Sequence, residues 1–214
     1  MPAITVNAPP PQGDETTHML EVMQRGEPYI AVDPYIMRLR DVAQDKVYEF
    51  NSIRDTDKRM DVLDGVVGMP PKGERKVYIM TPFMFEYGFN LSFGNEVYIG
   101  PGCTFIDVTR ISLGDRTMVG ANCSFYTPAH PISPEARNGL QGPEWAKEII
   151  IGDDVWIGGS VVIVGPCRIG NGTTIGAGSV VTKDIPDRVV AVGNPARVVK
   201  KINADGTAER VARA

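Results

Sequence analysis

Reading every sixth residue from Ile151 gives Ile151, Ile157, Ile163, Ile169, Ile175 and Val181, an unbroken aliphatic series. Four residues after each stands Val155, Val161, Cys167, Thr173, Ser179 or Ile185, mostly small or β-branched. Glycine follows the aliphatic residue at positions 152, 158, 170 and 176, where a turn with unusual dihedrals calls for it. The same register appears earlier in Phe93-Gly94, Ile99-Gly100, Leu113-Gly114 and Val119-Gly120, with a two-residue excess between Phe105 and Leu113. A longer interruption runs from about Pro131 to Glu148. A period of six makes one short strand and one turn per repeat, and three repeats close one triangular coil of a parallel β-helix whose interior the aliphatic residues fill. The expected fold is therefore mainly β, over residues 71–200, with a loop insertion at about 131–148.

Ahead of the repeats the pattern changes. Residues 1–14 hold three consecutive prolines, Pro9 to Pro11, and few large apolar groups, which reads as a disordered leader. From Thr16 to about Ile53 the spacing is helical and predicts two short helices within an N-terminal element over residues 15–70. Asp33 is placed to cap the second helix and Pro34 suits its first position. The apolar stripe of that helix is Ile36, Leu39, Val42, Val47 and Phe50. Residues 201–214 form a C-terminal tail.

Composition narrows the function classes. The 22 basic and 26 acidic residues leave a net charge of -4, so no chain-wide positive field draws in nucleic acid or an anionic membrane. No run approaches 18 apolar residues and the amino terminus lacks the regions of a signal peptide, which points to a soluble, cytoplasmic protein. Cys103, Cys123 and Cys167 show no metal spacing; each lies four residues after an aliphatic repeat position and reads as core filler. With only His18 and His130 available, the search for a base near neutral pH is short. His18 lies beside the leader and reads as a surface residue, whereas His130 stands where a repeat gives way to the long loop. Trp156 precedes the inward Ile157 and so points out of the coil.

Over roughly Met19 to Lys201 the chain resembles the maltose and galactoside O-acetyltransferase branch of the hexapeptide acyltransferases. The resemblance rests on GEPY at Gly26 to Tyr29, read as helical and followed by Asp33-Pro34, PFMFEYG at Pro82 to Gly88, and FYTPAHP at Phe125 to Pro131. It continues in VWIGG at Val155 to Gly159, IGAGSVVTKDIP at Ile175 to Pro186 and GNPARVVKKI at Gly193 to Ile202. It implies a left-handed coil, against the usual right-handed crossover. It also implies a homotrimer with active sites shared between neighbours, and acetyl-CoA as donor with no metal.

Residue by residue, the resemblance makes His130 the general base that deprotonates an acceptor hydroxyl or amine as it attacks the thioester. It brings the Gly159 amide to the thioester oxygen and leaves Trp156 for the pantetheine arm. Ala177 and Gly178 supply main-chain contacts to that arm, and Thr182, Lys183, Arg197 and Lys200 reach toward the nucleotide phosphates. Lys201 and Arg210 read as solvated charges. Glu144 orients His130 or binds an acceptor hydroxyl, Asp107 binds acceptor or holds the site loop, and Arg40, Glu86 and Tyr98 face the acceptor.

The chain also departs from the pattern. Gly100 and Gly102 stand where sugar-acetylating members carry polar residues, Glu86 where aspartate is frequent, and Ile30 where a polar residue follows GEPY. With Met80, Phe83, Met84 and Phe85 nearby, these changes suggest an acceptor less polar than a simple sugar. N-acetylation of a small amine and a non-catalytic trimeric scaffold are the other readings. The metal-dependent carbonic anhydrases that share the fold are excluded, because they need three histidine ligands.

Overall fold

The computed structural model describes residues 8–211. Short strands follow one another around a triangular coil, and each pairs in parallel with the strand one coil away. One face carries Val77–Ile79, Val97–Ile99, Met118–Val119, Trp156–Ile157, Thr174–Ile175 and Val189–Val192. A second carries Phe83–Phe85, Cys103–Ile106, Ser124–Tyr126, Val162–Val164 and Val180–Val181. The third carries Leu91–Phe93, Ile111–Leu113, Ile149–Ile151 and Cys167–Ile169. The repeat thus begins near Val77, two strands earlier than Phe93, where the pattern first became legible.

Every member of the period-six series and of its companion series is buried. Because paired residues share a face, identical side chains stack in columns, as in Phe105 on Phe125 with ring centroids 4.2 Å apart. Each buried aliphatic or phenyl side chain contributes roughly 1.5–3 kcal/mol relative to exposure. The three cysteines are buried in these columns, their thiols near the carbonyls of Gly120, Gly158 and Lys183. Burial pushes the Cys167 thiol up to about 12.

The repeat glycines serve a different purpose from the one expected. None of Gly94, Gly100, Gly114, Gly120, Gly152, Gly158, Gly170 or Gly176 has positive φ; the left-handed residue comes two positions later, as in Asn122 at 59° and Asp154 at 57°. The glycines are needed because a Cβ would run into the next coil: at Gly120 it would meet the Gly159 nitrogen at 2.6 Å, and at Gly158 the Ala177 nitrogen at 2.6 Å. Gly100 belongs to the same column, its Cβ site 2.8 Å from the Ala121 nitrogen. A further corner is tied by side chains. The amides of Asn95, Asp115, Asp153 and Asn171 donate in turn to Oδ1 of Asp115, Asp153, Asn171 and Asp187, at 2.7 to 2.8 Å.

The N-terminal element holds the two helices expected up to Ile53, α1 (His18–Gln24) and α2 (Pro34–Ser52), and a third beyond them, α3 (Thr56–Asp61). Asp33 caps α2 by accepting from the amides of Tyr35 and Ile36, with Pro34 in the first turn as expected. Val42 is exposed and Ala43 takes its place on the buried stripe, since a 19-residue helix at 3.6 residues per turn carries the stripe past Val42. GEPY is not helical; Gly26 has a φ of 67° and Tyr29 is extended, in a bridge with Glu144. Of the leader, residues 1–7 lie outside the described residues. The rest lies along α2, where Tyr35 donates to the Pro9 carbonyl and Arg38 pairs with Glu15 at 2.6 Å. Of the expected C-terminal tail, residues 212–214 lie outside the described residues, and the rest is not a tail: Arg197–Ile202 and Ala208–Arg210 form antiparallel strands that extend the first face.

Candidate active site

At the end of Ser124–Tyr126 the chain leaves the second face. A two-residue strand, Pro128–Ala129, leads to His130, and the loop returns as Trp145–Ala146, antiparallel to it. The loop carries a short helix, α4 (Pro134–Arg137), capped by Ser133. Tyr29 then joins from the N-terminal element, donating its amide to the Glu144 carbonyl at 2.8 Å and accepting from the Glu144 amide at 3.0 Å. Three separate stretches of chain therefore meet at one carboxylate.

That carboxylate has both oxygens occupied. Oε2 of Glu144 lies 3.2 Å from Nε2 of His130, and Oε1 accepts a hydrogen bond from the Tyr29 hydroxyl. The His130 side chain is 53% exposed and that of Glu144 only 12%, so the pair presents imidazole to the outside and keeps its acid inside. Burial drives the Tyr29 phenol well above its ordinary range, which keeps it a donor to Glu144.

Beside this relay lies a second one. Arg40, from α2, sits 3.0 Å from Glu86 and donates to the Tyr87 hydroxyl at 2.8 Å. Burial raises the Glu86 carboxyl above its ordinary range, an effect that the Arg40 guanidinium only partly offsets. The loop holding Glu86 and Tyr87 is fixed from beneath by Asp107, whose carboxyl accepts from the amides of Glu86, Tyr87 and Gly88 at 2.8 to 2.9 Å. Asp107 is fully buried. Its carboxyl oxygens are thus engaged in holding the site loop, the second of the two roles expected of it. Phe83 and Phe85 are likewise core residues, leaving only Met80 and Met84 exposed to bear on acceptor polarity.

Of the residues expected on the donor side, Trp156, Arg197 and Lys200 lie on the first face, Gly159, Ala177 and Gly178 at its corner with the second, and Thr182 and Lys183 just past Val180–Val181 on the second. Trp156 is 55% exposed, as its position before Ile157 required. Gly159 is half-buried; its carbonyl accepts from the Gly178 amide at 2.9 Å, while its own N–H donates no hydrogen bond among the described residues. Ala177, Gly178, Thr182, Lys183, Arg197 and Lys200 are all exposed above it. Tyr98 is on the same face as Trp156, with Met118 between them in register. Among the described residues no hydrogen bond or ion pair joins Tyr98, Trp156 or Gly159 to the His130 cluster. The structure thus assembles His130, Glu144, Arg40 and Glu86, and adds Tyr29 and Tyr87, to which no role had been given. Both stood in the quoted GEPY and FEYG stretches, which was the available signal.

Among the described residues no cluster of three metal-ligating side chains occurs, and no helix is long and apolar enough to cross a membrane.

The profile for "Bacterial transferase hexapeptide (six repeats)" matches residues 148–183, and that for "Maltose acetyltransferase hexapeptide capping motif" matches residues 23–69. The candidate acetyltransferase YJL218W of Saccharomyces cerevisiae is 37% identical over 187 residues, covering 86% of this chain and 93% of its own. The solved structure of a maltose O-acetyltransferase from Clostridium difficile 630 superposes with a TM-score of 0.80 at 37% identity, over 86% of this chain and 97% of that one. A hexapeptide-repeat acetyltransferase from Vibrio cholerae, solved with acetyl-coenzyme A, gives 0.79 at 30% identity, over 86% and 98%. The fold class expected from the repeat, with its left hand implied by the resemblance and its small N-terminal helical element by helical spacing, is the one found, a parallel β-helix matching hexapeptide-repeat acetyltransferase structures. The chain belongs to the maltose and galactoside O-acetyltransferase family of hexapeptide-repeat acetyltransferases.

Proposed function

We propose that this acetyltransferase moves an acetyl group from acetyl-CoA to a hydroxyl of a small-molecule acceptor, with His130 as general base. The observation that carries the reading is the pairing of His130 with Glu144 at 3.2 Å, backed by the buried Tyr29. The Glu144 carboxylate, 3.2 Å from Nε2, stabilises the imidazolium that forms. The neutral imidazole takes the acceptor proton as the hydroxyl oxygen bonds to the thioester carbon. The resulting oxyanion accepts from the free Gly159 N–H. Collapse breaks the carbon–sulfur bond, and the departing thiolate takes the proton from His130, leaving an acetyl ester and free coenzyme A.

Arg40 and Glu86 offer the acceptor a half-buried charged pair, and Tyr98 lies on the outer face with Trp156. Because that face and the His130 cluster are not joined within one chain, we place the complete site between neighbouring copies of a cytoplasmic homotrimer. The outward ladder Tyr78, Tyr98, Met118 and Trp156, in register and 40% to 56% exposed, supports a face covered by another copy. Release of free thiol from acetyl-CoA across sugars, apolar alcohols and amines, with His130→Ala as control, tests the reading. Loss of signal in the variant supports it, a preference for amines would replace hydroxyl by amine, and equal signals would remove His130 from the mechanism.

A further inference from the structure

The outward ladder of the first face does not end at Trp156. Pairing runs from Trp156 to Thr174, Thr174 to Val190, Val190 to Lys200 and Lys200 to Arg210. Residues paired directly across strands project from one side of the sheet. Lys200 and Arg210 therefore stand side by side at the top of the row that begins with the exposed aromatics. At about 4.8 Å per strand, they lie about 14 and 19 Å from Trp156.

Like charges placed directly opposite one another destabilise a strand pair. The neighbouring pair on these same strands, Lys201 opposite Glu209, is of opposite sign. Lys200 and Arg210 are both exposed, and among the described residues neither has a carboxylate partner. They line one groove of about 400 Å³ with Val198, Val199 and Val211, apolar apart from the two cations. The mismatch sits where an anion with an apolar neighbour would relieve it.

We infer that Arg210, on the C-terminal strand, joins Lys200 in holding a phosphate of the acyl donor's nucleotide. The inference rests on the acetyl-CoA reading above. A thioester at Gly159, one corner from Trp156, leaves an extended pantetheine arm running up the sheet, which brings the donor's phosphorylated end toward this row. Two cations on adjacent strands can each give a phosphate oxygen a charge-assisted hydrogen bond. Coenzyme A offers that chemistry twice, in its pyrophosphate and in its 3′-phosphate.

Calorimetric titration of the full-length protein with coenzyme A and with 3′-dephospho-coenzyme A tests the assignment. Arg210→Ala is expected to weaken coenzyme A about tenfold, the size of one lost charged hydrogen bond. Arg210→Lys should retain most of the affinity, and Glu209→Ala, on the same strand, should change nothing. If 3′-dephospho-coenzyme A binds wild type and Arg210→Ala equally, the 3′-phosphate is the group held; if both ligands weaken alike, the pyrophosphate is. Arg210→Ala binding both ligands as wild type does overturns the inference, as does an equal loss in Glu209→Ala, which would mark a hairpin effect. Wild type failing to bind coenzyme A at all would instead strike the acetyl-CoA reading on which the inference stands.

Discussion

Nε2 of His130 lies 3.2 Å from Oε2 of Glu144, although the two are carried by opposite ends of the long loop. The contact sets a carboxylate beside a half-exposed ring, where it favours the imidazolium formed during proton transfer. His130→Ala is expected to lower kcat by roughly 10²–10⁴-fold, the usual worth of a positioned base. Glu144→Gln, which keeps the shape and removes the charge, should lower kcat by roughly tenfold or more with KM for acetyl-CoA unchanged. Steady-state kinetics with a productive acceptor measures both, and a Glu144→Gln enzyme of full activity would make the carboxylate a bystander.

Tyr29 touches Glu144 twice, by backbone bridge and by hydroxyl. Tyr29→Phe leaves the bridge and removes only the hydroxyl. Thermal denaturation should show a loss of about 1 kcal/mol, the net value of one such bond, and kcat should fall less than in Glu144→Gln. A larger kinetic effect in Tyr29→Phe would assign the phenol a direct part in the chemistry.

Gly120 and Gly159 are neighbours across one corner, yet they should respond oppositely to alanine. A Cβ on Gly120 would sit 2.6 Å from the Gly159 nitrogen, whereas one on Gly159 meets nothing closer than the Ala121 carbonyl at 3.3 Å. Overpacking of the first kind costs about 1–3 kcal/mol. Urea melts should therefore show a clear loss for Gly120→Ala and little for Gly159→Ala. The second variant should instead lose turnover, because its new methyl crowds the free amide; unchanged kcat would take the oxyanion role from Gly159.

Burial pushes the Asp107 carboxyl up to about 7 against the pull of its three backbone donors. An aspartate in the unfolded chain titrates near pH 3.9, at about three units lower. The folded state then keeps its proton across the window in which the unfolded state loses it. This contribution to stability is complete below about pH 4 and is lost as pH rises through about 7. The unfolding free energy relative to Asp107→Asn should fall by a few kcal/mol between pH 4 and pH 8. A constant difference would mean that the three N–H groups hold the carboxylate ionised throughout.

How much of this was legible beforehand depends on the range of the interactions involved. The β-helix could be read from Ile151 to Val181 because each strand sees the same environment one coil on, so a single spacing repeats. The role of Gly120 and Gly158 was misread for the same reason that it was visible: the period marks where glycine recurs, while the contact that requires it belongs to the adjacent coil. The two strands before Phe93 fall within the expected 71–200 span, but the longer connection between Phe85 and Leu91 breaks the period, so the register does not extend back through it. Val42 and Ala43 differ by one position, which only the full length of α2 resolves.

Residue pattern alone was enough for the parallel β-helix, the cap at Asp33, the outward Trp156 and the buried cysteines, since these follow from local periodicity and side-chain size. The resemblance of several stretches to one family added His130, Glu144 and Arg40 to the list of residues to watch. Only the folded chain decided that Tyr29 meets Glu144 across 115 positions, that Asp107 lies beneath the Glu86 loop, and that Arg210 stands beside Lys200. Those pairings are made where one-off loops and terminal strands dock, and no repeat in the chain encodes where a non-repeating segment comes to rest.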